Sequence, residues 1–269
     1  MQDKNFRFKK EFGQNFIFDK VFLLSLIKSF SLSPSSNILE IGAGMGTLSE
    51  CLADNFKKVV SFEIDKTLTE HLGKIEETRD NLHFDFQDVL KEDINKIDDI
   101  FGGEKYFLIA NLPYYITSPI IFKFLLETKN LQEMFVMVQK EVGVRFCGEV
   151  GSKDYGVPTV ILNTFGETSI VKNVGRQMFT PPPKVDSCII KIRLDRNKFD
   201  IDSPAQFHKF VSGCFLAKRK TLYNNLCMSG VDKFRVKELI LGLNLKENVR
   251  PEEVSCEEFV KLYKKLHNI

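Results

Sequence analysis

The chain has no long apolar run, and none approaches the roughly 18 residues that a membrane-spanning helix needs. Its start, MQDKNFR, lacks the apolar core and the small-residue cleavage site of a signal peptide. The six cysteines are widely spaced and form no C-x-x-C pair, which disfavours a disulfide framework or a zinc site. No internal repeat or low-complexity segment is present. These absences predict a cytoplasmic protein without a metal site or a membrane contact, and a monomer is the expected state.

The length and the charge distribution favour a large core with a second, smaller domain. The 269 residues are 43% hydrophobic and 28% charged, which is ordinary for a globular protein. Residues 1–28 carry six Lys/Arg against three Asp/Glu, residues 29–195 carry 18 against 24, and residues 196–269 carry 14 against nine. Basic ends around an acidic middle suit contact with a polyanion, although such a mild asymmetry is also typical of an ordinary solvated surface.

Short apolar runs alternate with helical patterns through the first 195 residues. Five runs predict buried parallel strands, at residues 37–41, 58–62, 82–86, 106–110 and 134–138. Asp19 and Asp65 are predicted to cap helices. Alternating apolar residues around Gly166 predict antiparallel edge strands over 157–174, and a last strand is predicted at 187–193. The pattern predicts a doubly wound α/β domain over residues 1–195, with a basic N-terminal arm over 1–18.

After residue 195 the apolar spacing becomes helical. Helices are predicted at residues 204–217, 219–227, 233–241 and 256–267. They predict a small all-helical domain over residues 196–269. Its basic run, Lys218-Arg219-Lys220, suits phosphate contact, although such runs are usually solvated surface.

Glycines follow the first predicted strand at residues 42, 44 and 46, and a helical pattern begins just after them. A strand, a glycine loop and a helix in this order allow a ligand to approach the backbone closely. Thr47 stands where a dinucleotide fingerprint needs glycine, so the pattern does not indicate a pyrophosphate ligand.

Acidic residues end the next two predicted strands. Glu63 lies about 20 residues past Gly42, where an acid accepts hydrogen bonds from the ribose hydroxyls of an adenosine-containing cofactor. A strand-end acid in solvent is the alternative. Asp88 is predicted to accept from the cofactor's adenine amino group, with Val89 against the ring.

The fourth predicted strand ends in Asn111-Leu112-Pro113-Tyr114, at the sheet edge where ligands of α/β folds bind. The Asn111 side-chain oxygen and the Leu112 carbonyl can accept both hydrogens of an exocyclic amine on a planar base. Tyr114 offers a face for stacking that base, and Phe179, just before a proline run, is a candidate for the opposite wall. A proline-containing loop with a buried tyrosine is the alternative.

Together, these motifs resemble the ribosomal RNA adenine dimethyltransferases, most closely the bacterial small-subunit (16S) family known as KsgA. The resemblance covers nearly the whole chain. It is carried by FGQNF at 12–16, EIGAGMGTLS at 40–49, NLPYYITSPI at 111–120, FTPPPKVDS at 179–187 and KRKTLYNNL at 218–226.

The resemblance implies a Rossmann-like fold, S-adenosyl-L-methionine as cofactor, and N6,N6-dimethylation of two adjacent adenines in a 16S rRNA hairpin loop of an immature 30S subunit. The implied cofactor contacts are Asn15, Ile17, Gly42, Gly44, Glu63, Asp88 and Asn111, with Gln14 beside them. Asn111, Leu112, Tyr114 and Phe179 are the implied catalytic set. The expected RNA contacts are Lys9, Lys10, Lys218, Arg219 and Lys220. Two positions depart from the family pattern, Lys218 in place of a common arginine and Tyr115 in place of a frequent asparagine.

Three other functions stay open. The large-subunit rRNA methyltransferases of macrolide resistance share the glycine loop and the N-[IL]-P-Y motif, although the PPPKVDS and KRKTL stretches favour the small-subunit family. An assembly factor that has lost catalysis is disfavoured by the intact glycines, Glu63 and Asn111. A small-molecule methyltransferase is disfavoured by the basic helical tail.

Overall fold

The computed structural model of the protein describes residues 15–267. Contacts between Cα atoms divide the chain into two compact units. The first unit holds the residues up to Lys140 together with Ile170–Lys191, and the second holds Glu141–Ser169 together with the residues from Ile192 onward. The division therefore falls once inside each of the last two strands.

Seven strands form one sheet in the order β3-β2-β1-β4-β5-β7-β6, mostly parallel with an antiparallel edge. The strands are β1 (Asn37–Ile41), β2 (Lys58–Phe62), β3 (Leu82–Asp85), β4 (Tyr106–Asn111), β5 (Leu131–Gln139), β6 (Gly166–Val174) and β7 (Ser187–Leu194). The first five strands pair in parallel, and β1 is buried along its whole length between β2 and β4. This sheet confirms the predicted fold class.

In the first unit one helix precedes β1 and the other helices follow successive strands. They are α1 (Lys20–Ser29), α2 (Thr47–Ala53), α3 (Thr69–Glu76), α4 (Ile94–Asp99) and α5 (Thr117–Glu127), and α6 (Lys140–Phe146) begins at the unit's last residue before the division. Both predicted caps are present, because the Asp19 carboxylate accepts from the Phe22 amide at 2.9 Å and Asp65 accepts from the Thr67 amide at 3.1 Å. The buried face of α1 packs on the sheet, where the rings of Phe30 and Phe135 stack at 4.2 Å.

The second unit contains the remaining helices, α7 (Val157–Phe165), α8 (Pro204–Cys214), α9 (Leu222–Met228), α10 (Lys233–Leu241) and α11 (Cys256–His267). The prediction of strands over 157–174 was wrong in its first half, since 157–165 is helical. Its β-branched residues favour a strand, but Pro158 suits a first helical turn and the apolar side chains are buried where α7 packs on α8 and α11. The second half is the edge strand β6, as predicted.

These contacts group α6 and α7 with the C-terminal helices, whereas the sequence places the boundary at residue 195. The assignment of residues 1–195 to cofactor binding and 196–269 to RNA binding stays a prediction. Within residues 15–267, no helix combines the length and apolar character needed to cross a membrane.

Candidate active site

The carboxyl ends of β1, β2 and β4 and the loop after β3 line a cleft with an empty volume of ≈ 790 Å³, including the open solvent at its mouth. Its walls are Asn15, Phe16, Ile41, Gly42, Gly44, Phe62, Glu63, Ile64, Gln87, Asp88, Val89, Asn111, Leu112, Pro113, Tyr114, Tyr115 and Ile116. The structure thus brings residues 111–114 beside the glycine loop and Glu63, the arrangement that the sequence predicts. All of these residues belong to the first unit.

The glycine loop needs a glycine at position 44 for two reasons. Gly44 has φ +55°, a conformation that residues with side chains rarely adopt. A Cβ atom at Gly44 would lie 2.5 Å from the Phe16 ring, so a side chain does not fit there. The Gly42 amide donates to the Phe62 carbonyl at 2.8 Å, which ties the loop to the end of β2.

Glu63 is buried, not a solvated strand-end acid. Its side chain is 6% exposed, and both carboxylate oxygens accept from backbone amides, Oε2 from Gly44 and Oε1 from Asp65, each at 2.8 Å. Burial raises the pKa of Glu63, and the two backbone hydrogen bonds oppose that rise. Each oxygen keeps a second lone pair, so the carboxylate can still accept two hydroxyl protons.

Glu40, inside β1 and two residues before Gly42, is buried completely. Its Oε2 accepts from the Ser49 hydroxyl at 2.5 Å and the Ser61 hydroxyl at 2.6 Å, which joins β1 to α2 and β2. Within the described residues Oε1 has no hydrogen-bond partner. The pKa of Glu40 is raised to about 7, chiefly by burial. The hydrogen bonds from the two serines oppose this rise, and the nearby charge of Glu63 adds to it.

Asp88 lies at the far wall of the cleft. Its carboxylate accepts from the Leu90 amide at 3.1 Å and lies 3.5 Å from the Lys91 ammonium. Val89 and Ile64 supply apolar surface to the same cleft, and Ile64 is 44% exposed. Apolar lining residues beside a carboxylate acceptor suit an adenine ring and its amino group.

Asn111, the last residue of β4, is oriented by a contact 96 positions away in sequence. Its Nδ2 donates to the Asn15 backbone carbonyl at 2.9 Å. A backbone carbonyl only accepts, so the amide nitrogen must face Asn15 and the Oδ1 atom is the end left to accept from a ligand. Asn15 is itself held in place because Phe16 pairs with Thr180, with N–H···O distances of 3.0 and 2.8 Å.

The two aromatic residues predicted to stack the base differ in position. Tyr114 lines the cleft, and its hydroxyl shares a 2.7 Å hydrogen bond with the buried Ser187 hydroxyl, which fixes the ring. Burial raises the Tyr114 pKa, so the phenol stays protonated. Phe179 is only 2% exposed, belongs to the buried apolar core, and is not among the cleft-lining residues. Its stacking role stays a prediction.

Other predicted site residues lie apart from the cleft walls. Ile17 is buried and lines a neighbouring apolar cavity beneath α1 that shares Phe16, Gly42 and Asn111 with the cleft. Lys9, Lys10 and Gln14 lie outside the described residues. In residues 15–267, no group of three or more His, Cys, Asp or Glu side chains is placed to hold a metal ion.

The predicted basic run lies in the second unit, in a loop that precedes α9, because this helix begins at Leu222 with Thr221 as its cap and not at residue 219. Lys218, Arg219 and Lys220 are all exposed. The buried side chain of Asn225 supports this loop through hydrogen bonds, and its Oδ1 accepts from the Ala217 amide at 2.7 Å. Its Nδ2 lies 3.2–3.3 Å from the carbonyl oxygens of residues 217, 220 and 221.

The sequence did not single out Phe16, Ile64 and Gln87 as cleft residues. The position of Phe16 between the predicted cofactor contacts Asn15 and Ile17 could have identified it. Ile64 directly follows Glu63, so its place at the strand end was a second available signal. For Gln87 the sequence offers no indication of a place in the cleft except that Asp88 follows it.

The strand order β3-β2-β1-β4-β5 is that of doubly wound nucleotide-binding folds, in which the ligand lies over the first loop. Here that loop is glycine-rich without the pyrophosphate fingerprint, it faces a strand-end amide oxygen, and the space over it suits an adenosine. The chain is therefore a Rossmann-like methyltransferase.

Sequence comparison identifies the family. The model of the family described as ribosomal RNA adenine dimethylase matches residues 5–268, and the chain belongs to this family. S-adenosyl-L-methionine is the family's methyl donor. The cleft fits this cofactor, because the glycine loop, the fixed Glu63 carboxylate and the apolar residues Ile64 and Val89 suit an adenosine.

Curated relatives agree along the whole chain. The ribosomal RNA small subunit methyltransferase A of Caldanaerobacter subterraneus subsp. tengcongensis is 39% identical over 96% of this chain and 97% of its own length. The protein of the same name from Clostridioides difficile is 38% identical over 96% of this chain and 91% of its own.

Two solved structures share the fold. A dimethyladenosine transferase from Plasmodium falciparum superposes with a TM-score of 0.78 at 27% identity, covering 94% of this chain and 97% of the other. The 23S rRNA methyltransferase ErmE superposes with a TM-score of 0.71 at 24% identity, covering 94% of this chain and all of the other. The second match supports the fold alone.

Proposed function

We propose that this rRNA adenine dimethyltransferase modifies N6 of two adjacent adenines in a small-subunit (16S) rRNA hairpin loop. The substrate is an immature 30S subunit in the cytoplasm, and the enzyme acts as a monomer. Support for the small subunit comes from the names of the relatives and from their 38–39% identity over 96% of this chain.

The hydrogen bond from Asn111 to Asn15 is the observation that carries the proposal. Because this bond fixes the amide, Oδ1 is an acceptor in the cleft before any ligand arrives. The Leu112 carbonyl follows in the same turn and supplies the second acceptor. An exocyclic NH₂ group matches two acceptors placed in this way, whereas a hydroxyl nucleophile would satisfy only one of them.

The chain contributes geometry to the reaction. Bound S-adenosyl-L-methionine supplies an activated methyl group on a sulfonium. An adenine amine is a weak nucleophile because its lone pair is delocalised into the ring. Hydrogen bonds from its two N–H groups to Asn111 Oδ1 and the Leu112 carbonyl favour a pyramidal nitrogen with a localised lone pair. Positioning of this kind accounts for a large part of many enzymatic accelerations.

The target adenine has to leave its base stack to reach these acceptors, which suits a loop better than a duplex. The Tyr114 ring, fixed by Ser187, offers the face on which it stacks, and Phe179 is the proposed opposite wall. The methylated nitrogen loses one proton to water, which leaves a single N–H. This N–H keeps one of the two acceptors engaged, while the site of the other acceptor must tolerate a methyl group.

We assign RNA backbone contact to the loop of Lys218, Arg219 and Lys220 and to Lys9 and Lys10 of the arm. Asn225 holds the 217–221 loop in one shape, so the three cations are presented on an ordered support. Replacing one phosphate-binding lysine or arginine by alanine should lower the slope of log affinity against log salt by about one.

The test is incubation of the wild type and Asn111→Ala with labelled S-adenosyl-L-methionine and unmethylated small-subunit particles, beside large-subunit RNA. We expect dimethyladenine in the small-subunit RNA only, at two neighbouring positions. The variant should lose about a hundredfold or more in kcat, since misplaced reacting groups cost rates of this order.

Asn95→Ala is the matched control, because Asn95 is an exposed asparagine on α4 away from the cleft. Product in the large-subunit RNA alone would contradict the small-subunit assignment. Full activity of Asn111→Ala would contradict the role of the amide. Elution as a dimer in size-exclusion chromatography would contradict the monomer.

A further inference from the structure

Tyr115 is an aromatic residue of the cleft that the proposed reaction does not use. Its side chain lines the cleft next to Tyr114, yet it is 59% exposed. Within residues 15–267 no hydrogen bond or ring contact holds the Tyr115 side chain. Tyr114, by contrast, is tied to Ser187. The cleft therefore carries one fixed ring and, beside it, one open ring.

Tyr115 has no partner among the described residues, so the flat face of its ring is open to water, although aromatic rings gain most from apolar contact. In a site that admits single-stranded RNA, such a face is a stacking surface, and base–aromatic stacking tolerates any base. Ile64, 44% exposed in the same cleft, adds apolar surface near the mouth.

We propose that Tyr115 forms a second base-binding subsite, which stacks the nucleobase next to the flipped target adenine. This inference rests on the proposed function, because it needs RNA in the cleft. With the target base on Tyr114, the adjoining nucleotide is attached through one phosphodiester link, and the next ring along the protein chain is Tyr115. The subsite holds the RNA strand at the mouth and makes no contact with the reacting nitrogen.

The chemistry predicts a specific kinetic change. Tyr115→Ala should raise KM for the RNA about fivefold to a hundredfold, the range for loss of one stacked base. It should leave kcat and the S-adenosyl-L-methionine Kd unchanged. Because stacking neutralises no phosphate, the salt dependence of RNA binding should also stay unchanged.

The experiment compares Tyr115→Ala, Tyr115→Phe and Val21→Ala on small-subunit particles, with KM, kcat, cofactor Kd by calorimetry and the salt slope of RNA binding. Tyr115→Phe keeps the ring and should match the wild type. Val21→Ala removes another exposed apolar side chain, 79% exposed on α1 and outside the cleft, and should also match it.

Three results would overturn the subsite. An unchanged KM in Tyr115→Ala would show that the ring contacts no base. An equal loss in Tyr115→Phe would assign the contact to the hydroxyl. A weaker cofactor Kd in Tyr115→Ala would make the residue a cofactor wall. If the wild type itself methylated no rRNA, the proposed function would fail first, and this distinguishes the two failures.

Discussion

The proposed cofactor side of the cleft, around Glu63, and the proposed substrate side, around Asn111, are built in opposite ways. On the side proposed to bind the cofactor, the protein's own backbone holds the carboxylate in place, since Glu63 accepts from the Gly44 and Asp65 amides. On the substrate side, one hydrogen bond turns the Asn111 amide so that its oxygen faces outward, and Tyr115 is left open. The proposed cofactor side is therefore preorganised for one small ligand. The proposed substrate side keeps a free acceptor atom and an exposed ring for a nucleotide that has to enter from a folded RNA.

Glu40→Gln tests whether the cofactor side is held by a neutral carboxyl group, and we expect the largest effect here. The Glu40 pKa rises from 4.5 to about 7 on folding, so its contribution to the free energy of unfolding is full below about pH 4.5 and is lost as pH rises through 7. The loss should be about 3 kcal/mol in the wild type and should be absent in the variant.

Urea denaturation between about pH 4 and pH 8 measures this difference. The pKa of Glu63 is also raised, so some loss of the same sign should remain in both proteins. Glu77→Gln, at an exposed site at the end of α3, is the control and should follow the wild-type profile. An identical pH profile for Glu40→Gln and the wild type would contradict the neutral carboxyl.

Glu63→Gln sharpens the contrast between the two sides. Glutamine must place an NH₂ group against one of the two backbone amides that the carboxylate now accepts from, so the loop loses a charge-assisted hydrogen bond. We expect the S-adenosyl-L-methionine Kd to rise about tenfold to a hundredfold, since such bonds contribute roughly 1.5–3 kcal/mol. Calorimetry gives this Kd. RNA affinity without cofactor should not change, and a loss in RNA affinity with an intact cofactor Kd would break the division into two sides.

Tyr114→Phe should give the smallest effect and addresses the substrate side. The ring remains, but the buried hydroxyl of Ser187 loses its hydrogen-bond partner. This loss should lower the free energy of unfolding by about 1 kcal/mol. A double-mutant cycle with Ser187→Ala measures the coupling by chemical denaturation. Additive effects of the two changes would show that this hydrogen bond does not fix the ring.

Some features of the fold and of the site could be predicted from the sequence, and others could not. The strand ends, the glycine loop and both aspartate caps were predictable because each depends on neighbouring residues. Helix α7 was not, because its β-branched residues favour a strand and burial against α8 and α11 decides for a helix. The burial of Phe179 was not predictable either, since a proline run specifies an extended backbone and not the direction of the preceding side chain.

The sequence by itself determined where β1 to β5 and β7 lie along the chain and which residues stand at each strand end, because apolar runs, turn residues and caps act over a few positions. Only the tertiary structure decided which atoms of those residues face a ligand. The Asn111 amide is turned by Asn15, Phe16 is held by Thr180, and the Tyr114 ring is fixed by Ser187. These partners are 73 to 164 positions apart in sequence, and a hydrogen bond between such distant groups forms only after the sheet has brought them together.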